Sequence, residues 1–285
     1  MNDIIKVVFI GGLTNGKIVY EYLKANKYVD LQLAITYKDD FSGARYDRLP
    51  DDDIVVRIGS VKGKEETIKE LNPDLIIVAG WSELIPDALL SVPSMGCIGF
   101  HPAKLPYDRG RSVLAWQIEN GSEETGLTMF RYSDYPDGGD ILAQEIIPIR
   151  HEDYINDILD KIDDATFNIM RAYFPLLRTG RLVARKQKLE EGSFHRLRGE
   201  RDSIINWNNN TEDIYNKIRA ISHPYPGAIA EIDGKRILVW RSEEIDSLPF
   251  GNSAKPGTIV ARLYDNSLVY KTRNGFLRIT EWECI

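Results

Sequence analysis

The stretch DLIIVAG carries an unbroken apolar run, Leu75-Ile76-Ile77-Val78-Ala79, with no polar residue at alternate positions. A strand with one wet face alternates, whereas a continuous Leu/Ile/Val run suits a sheet covered on both sides. Such a sheet needs helices on both faces, and the first half of the chain supplies them in alternation. IKVVFIGG reads as a first buried strand, and GKIVYEYLKAN has helical spacing at Ile18, Tyr22 and Leu23. LQLAITY and DIVVRIG are further strands, KGKEETIKELN is a polar helix, SELIPDALLSV a short helix, and GCIGFH a fifth strand. This order predicts an α/β fold with a Rossmann-like, mostly parallel, doubly wound sheet.

In such sheets ligands bind beyond the carboxyl ends of the strands, which places Gly11-Gly12, Gly80-Trp81 and His101 along one rim. A helix at RSVLAWQIENG follows, then two strand-like runs, GLTMFRYS and DILAQEIIPI, around the turn-rich SDYPDGG. A helix from about Asp153 to Leu177 closes this half, with Ile155, Ile158, Ile162, Ile169 and Met170 on its apolar face. The basic, polar RTGRLVARKQKLEEG suits a linker. Beyond it, one helix (TEDIYNKIRAIS) precedes five short strands punctuated by DG, PG, DN and NG, the pattern of a small antiparallel barrel. The expected domains are 1–185 for the sheet, 186–203 for the linker and 204–285 for an OB-like barrel.

The 285 residues carry a net charge of −7, with a pI near 5.3, so the chain shows no basic footprint for nucleic acid. Two cysteines, Cys97 and Cys284, are too few for a disulfide framework and point to a reducing compartment. No apolar run approaches the ~20 residues of a membrane span, so the expected location is the cytoplasm. Cys97 and His101 have no second ligand pair elsewhere, and no metal is expected. GGLTNG departs from the dinucleotide fingerprint and reads as a strand-to-helix turn.

His101, one of four histidines, stands at the mouth of a buried strand, in a loop stiffened by Pro102 and Pro106. Asp134 and Asp137 lie in a turn whose flanking strand can return to the same rim. A histidine held by a carboxylate is a usual device for proton transfer near neutral pH. A hydrogen-bonded structural histidine is the plainer alternative at this point.

The region GFHPAKLPYDRGRSVLAWQIENGSEETGLTMFRYSDYPDGGDILAQ resembles the formyltransferases that use 10-formyltetrahydrofolate. His101, Leu105-Pro106, Arg109-Gly110, Thr125-Gly126 and Asp137-Gly138-Gly139 match that family's pattern in order. GWSELIP at 80–86 is similar to the family's folate-site loop, and INWNNNTEDIYNKIRAISHPYPGA to the start of its C-terminal barrel. The resemblance implies that His101 accepts the proton of the attacking amine and that Asp137 orients the imidazolium. It implies N10-formyltetrahydrofolate as formyl donor, met by Gly80, Trp81, Leu84, Ile85, Pro86 and Asp134.

The likeness is nearest the members that formylate an amino sugar on a nucleotide. It therefore implies a small nucleotide-sugar partner, for which Tyr107, Arg109, Gly110 and Arg111 are the candidate binding residues, with Arg201 and Trp207, and Arg196 and Arg198, as weaker candidates. Paired subunits are common among such enzymes. A folate- or nucleotide-sugar-binding relative without catalysis, methionyl-tRNA as acceptor, and hydrolysis of the donor are the alternatives. One position departs from the pattern: where the family has an asparagine whose amide meets the formyl oxygen, this chain has Gly99. Asn15 and Ser112 are the side chains that suggest themselves as replacements. Gly99→Asn is then expected to fold and to retain or raise formyl transfer.

Overall fold

The two-sided apolar runs become the middle of a seven-stranded sheet in a computed structural model that describes residues 4–285. Its first five strands are β1 (Ile5–Gly11), β2 (Val29–Thr36), β3 (Val55–Arg57), β4 (Leu75–Ala79) and β5 (Cys97–His101). After the two-residue strand β6 (Arg109–Gly110) come β7 (Glu124–Arg131) and β8 (Ile141–Pro148). The order is β3-β2-β1-β4-β5-β7-β8, with β1 to β5 parallel and β7 antiparallel to β5. Every residue of β4 is buried, as the continuous run requires.

Helix α1 (Thr14–Ala25) follows β1, and the glycines before it are there for packing. A Cβ on Gly11 would lie 2.0 Å from the Ala79 carbonyl oxygen, and one on Gly16 2.4 Å from the same atom. The turn GGLTNG therefore brings α1 against the end of β4. Helices α2 (Glu65–Glu70) and α3 (Asp87–Leu90) are short. The second is cut back from the expected stretch because Pro86 disfavours helical backbone at Ile85. Strand order reverses between β1 and β4, with β2 and β3 added on one side and β5 on the other, so the carboxyl ends of these two parallel strands form the crevice where this architecture receives ligands.

The chain divides into two compact units: residues 1–110, 126–147 and 160–194, and residues 111–125, 148–159 and 195–285. The second contains α4 (Val113–Glu119), which packs on the later helix α7 (Thr211–Ile221). Glu119 ties them by pairing with Lys217 at 2.6 Å and with Arg198. The amphipathic helix α5 (Ile155–Arg178), the pair β9 (Phe194–His195) and the turn-length α6 (Glu200–Ser203) complete the elements before α7. Asn210 and Asp213 form a capping box at the start of α7.

Five strands close the chain: β10 (Ala228–Ile232), β11 (Lys235–Ile245), β12 (Ile259–Arg262), β13 (Leu268–Lys271) and β14 (Phe276–Cys284). They form an antiparallel sheet in the order β10-β11-β14-β13-β12. Its edges meet through side chains: Arg262 pairs with Asp233 at 2.9 Å, and the Tyr270 hydroxyl donates to the Glu231 carbonyl at 3.1 Å. Among the described residues no helix is long and apolar enough to cross a membrane, and no cluster of His, Cys, Asp and Glu is arranged to hold a metal.

Candidate active site

The register of β5 against β7 decides which side chains share a face. Gly99 lies opposite Phe130, and His101 opposite Thr128. Because side chains alternate along a strand, Cys97, Gly99 and His101 project to one side, together with Thr128, Phe130 and Tyr132. The Tyr132 amide donates to the Cys97 carbonyl at 2.8 Å and carries the register one residue beyond β7.

His101 ends β5, 6% exposed. Its Nε2 lies 2.8 Å from the Asp108 carbonyl oxygen, and a carbonyl can only accept, so Nε2 carries the hydrogen. Asp108 has a left-handed backbone, φ +54°, which turns its carbonyl toward the ring. The other nitrogen, Nδ1, faces Asp137 Oδ1 at 3.6 Å, an ion-pair distance too long for a hydrogen bond.

Asp137 is held on three sides. Its own backbone is left-handed, φ +53°. Its Oδ2 accepts the Gly110 amide at 2.9 Å, which leaves Oδ1 for His101. Gln187 Nε2 donates to the carbonyls of Asp137 and Gly139 at 2.8 and 2.6 Å. Gly139 cannot be replaced, because a Cβ there would sit 1.7 Å from the Arg131 carbonyl oxygen. The motif Asp137-Gly138-Gly139 is thus a tight return that aims one carboxylate oxygen at the histidine. Asp134, by contrast, is exposed on the turn.

Gly99 is needed for a reason the sequence conceals. A Cβ at Gly99 would meet Tyr132 Cε2 at 2.2 Å, Cζ at 3.0 Å and Cδ2 at 3.1 Å. The tyrosine ring fills the space in which a side chain at position 99 would stand. The expectation for Gly99→Asn is corrected accordingly, since an asparagine fits only if this ring leaves. Of the suggested substitutes for the asparagine, Asn15 has its amide oxygen against Gly80, and the Ser112 hydroxyl accepts the Arg198 amide within the second unit at 3.2 Å.

Along the rim, Gly80 has φ +63°, and a Cβ there would meet Asn15 and Leu13 within 3 Å. Trp81 stacks on Tyr37 at 4.3 Å, and Tyr37 stacks on Phe41 at 3.9 Å. The Tyr37 hydroxyl accepts the Ser82 amide at 2.8 Å, which fixes the middle ring. The indole Nε1 of Trp81 is buried without a partner among the described residues. Leu84 is 69% exposed, Ile85 belongs to the core cluster around β4, and Pro86 opens α3. Tyr37 and Phe41 went unnoticed in the sequence, where Tyr37 reads as the last residue of a strand.

Arg109 is buried, with Nη2 donating to the Leu189 carbonyl at 3.0 Å, while Nε and Nη1 have no partner among the described residues. Its guanidinium lies 5.4 Å from the centre of the Tyr135 ring. Tyr107 is exposed beside it in the loop. Arg111, Arg201 and Trp207 belong to the second unit. There, Arg111 and Arg201 are exposed, and Trp207 stacks flat on Tyr270 at 4.1 Å, so its face is already covered. Arg196 pairs with Asp202 at 2.6 Å, Arg198 pairs with Glu119, and both lie over Trp116. These two arginines have their charge matched within their own unit.

Residues 5–173 match the formyl transferase family, and residues 199–284 match that family's C-terminal domain. The methionyl-tRNA formyltransferase of Caldanaerobacter subterraneus subsp. tengcongensis is 31% identical over 92% of this chain and 84% of its own. Among solved structures, HypX from Aquifex aeolicus in complex with tetrahydrofolic acid superposes with a TM-score of 0.71 at 20% identity. That match covers 98% of this chain and 44% of HypX. WlaRD, a sugar 3N-formyl transferase solved in the presence of dTDP and 5-N-formyl-THF, gives 0.70 at 18% identity, over 99% of this chain and 98% of WlaRD. By its sequence over both matched regions, the chain belongs to the formyl transferase family.

Proposed function

We propose that this protein transfers a formyl group from N10-formyltetrahydrofolate to the amine of a nucleotide-linked amino deoxysugar, a precursor of surface polysaccharide. In this reading the chemistry lies in residues 1–185, followed by a linker at 186–203 and a barrel at 204–285. The donor is a substrate, consumed in each turnover. The rim fits a flat heterocycle, because it offers a fixed aromatic stack and, in Trp81, a buried N–H still lacking an acceptor.

His101 has its free lone pair at Nδ1, since Nε2 donates to Asp108. As the amine attacks the formyl carbon, Nδ1 takes its proton. Both N–H groups of the resulting imidazolium then face oxygens, Asp108 O on one side and Asp137 Oδ1 on the other. The product of proton transfer is therefore stabilised in place, as general base catalysis requires. When the intermediate collapses, the same proton passes to the departing folate nitrogen. The amine gains the formyl group, and tetrahydrofolate leaves.

The acceptor class rests on Arg109. This cation is held one residue from the Gly110 amide that pins Asp137, and two of its nitrogens lack partners. A guanidinium kept short of acceptors beside the reacting centre suits a phosphate group of the acceptor. The overall charge of −7 also suits a small acceptor better than a polynucleotide. Transfer to methionyl-tRNA is the second reading, favoured by the sequence relatives, which carry that name.

The deciding assay supplies formyl donor with a panel of amino-sugar nucleotides, the same amino sugars without nucleotide, and methionyl-tRNA. Tetrahydrofolate release only with amino-sugar nucleotides is the expected result. Release only with methionyl-tRNA would establish the second reading. Release with no amine present would mean hydrolysis.

A further inference from the structure

Attack of an amine on a formyl carbon drives the carbonyl electron pair onto oxygen, and an enzyme needs a hydrogen-bond donor aimed at that oxygen. Gly99, on the face of β5 that carries His101, has no side chain to offer. The side chain that occupies its place is Tyr132, reaching diagonally across from β7, a distance within reach of aromatic residues. Its Cε2–Cζ edge lies over Gly99, and the hydroxyl extends one bond beyond Cζ. Gly99 and His101 are two residues apart on the strand, roughly 7 Å.

We propose that the Tyr132 hydroxyl is the donor to the formyl oxygen, replacing from the neighbouring strand the group that position 99 lacks. This rests on the reading of His101 and Asp137 as the proton-transfer pair.

Three further observations support it. The ring is fixed, stacked on the buried Phe130 at 5.3 Å between centres and packed beside Leu105 and Ile141. A fixed donor costs no reorganisation when charge appears. The residue is half-buried, and among the described residues no hydrogen bond engages its hydroxyl. Burial, with the Asp137 carboxylate adding to it, pushes the phenol well above the ordinary tyrosine range. It stays protonated, and a donor, at any pH where the enzyme works.

In the step itself the amine nitrogen bonds to the formyl carbon, its proton goes to His101, and the C=O pair becomes an oxyanion that accepts from the Tyr132 O–H. On collapse the C=O re-forms, the bond from carbon to folate N10 breaks, and N10 takes the proton from His101. Tyr132 keeps its own proton throughout.

The same geometry would arise if the ring merely covered a glycine for packing, and Tyr132→Phe separates the two. With an accepted amine and N10-formyltetrahydrofolate, this variant should lose about 100-fold in kcat. KM for both substrates should stay within about twofold, because a donor used only in the transition state contributes nothing to ground-state binding. Its unfolding temperature should stay within about 2 °C of the parent. As a second test, Gly99→Asn added to Tyr132→Ala should recover about tenfold or more of the kcat lost by Tyr132→Ala alone. Undiminished kcat in Tyr132→Phe, or a loss carried by KM, overturns the assignment while leaving the proton-transfer pair standing. A parent enzyme that turns over none of the panel amines overturns the underlying reading instead.

Discussion

Replacing Gly99 by alanine tests the steric relation on which the site is built, without any need for a substrate. The backbone at Gly99 is not left-handed, so a side chain costs nothing in torsional strain there. The whole penalty falls on the Tyr132 ring, which a new Cβ would approach to 2.2 Å at Cε2. That is far inside van der Waals contact, and the ring cannot shift freely because Phe130, Leu105 and Ile141 pack behind it. Overpacking of this kind costs about 1–3 kcal/mol. Truncating the ring alone, Tyr132→Ala, leaves a void and costs about 3 kcal/mol. In the double variant the two faults compensate, since the new methyl enters space the ring has left. The two changes should therefore be non-additive by about 1 kcal/mol or more in the stabilising direction. Equilibrium unfolding in urea of the parent, the two single variants and the double variant measures this cycle. A Gly99→Ala protein as stable as the parent, or a strictly additive double variant, would show that the ring does not stand over Gly99. The Tyr132 assignment would fall with it.

Asp137→Asn should lower kcat by about 100-fold or more, since an amide cannot neutralise the imidazolium at His101; steady-state rates at unchanged KM check this, and a kcat near the parent's would refute it. Burial pushes the Cys97 thiol up to about 12, whereas Cys284 is exposed. A maleimide at neutral pH should therefore label Cys284 alone until denaturant is added, and rapid labelling of both in the folded protein would contradict the packing of β5. Burial also raises Tyr215 and Tyr270 to about 12. Below about pH 10 folded and unfolded chains both keep these protons; above it the unfolded chain releases them first. Stability should thus be full below pH 10 and fall as pH rises toward 12. Urea midpoints at pH 9 and pH 11.5 test the sign, and equal midpoints would refute it.

The parallel sheet was legible because burial on both faces leaves a mark that needs no partner strand. The run Leu75–Ala79 announces its environment by itself, and the glycines before α1 and the prolines around His101 announce turns. The placement of His101 beside Asp137 was legible for a related reason. His101 and Asp137 each end a recognisable strand or turn, and the family pattern fixes their order. What the sequence hides is anything decided by pairing between distant segments. Helix α4 looks like part of the sheet domain by position, yet it packs on α7, where Glu119 finds Lys217 and Arg198 far along the chain. Trp207 looks like a platform for a base, yet Tyr270 already covers its face.

Position 99 shows the limit most sharply. Set against the family pattern that its sequence resembles, the chain lacks a group there, which by itself suggests an impaired enzyme. The antiparallel register of β5 and β7 changes the question, because it sets Phe130 opposite Gly99 and Tyr132 on the diagonal. No local pattern fixes that register: sliding one strand by a residue would turn Tyr132 to the other face. Once it is fixed, the glycine and the tyrosine become one feature. The glycine is small because the ring passes over it, and the ring carries a hydroxyl toward the charges of the site. Under the proposed assignment, the donor absent from position 99 is supplied by the neighbouring strand. Searches for inactive relatives should accordingly compare the space around a missing side chain before its absence is counted against activity.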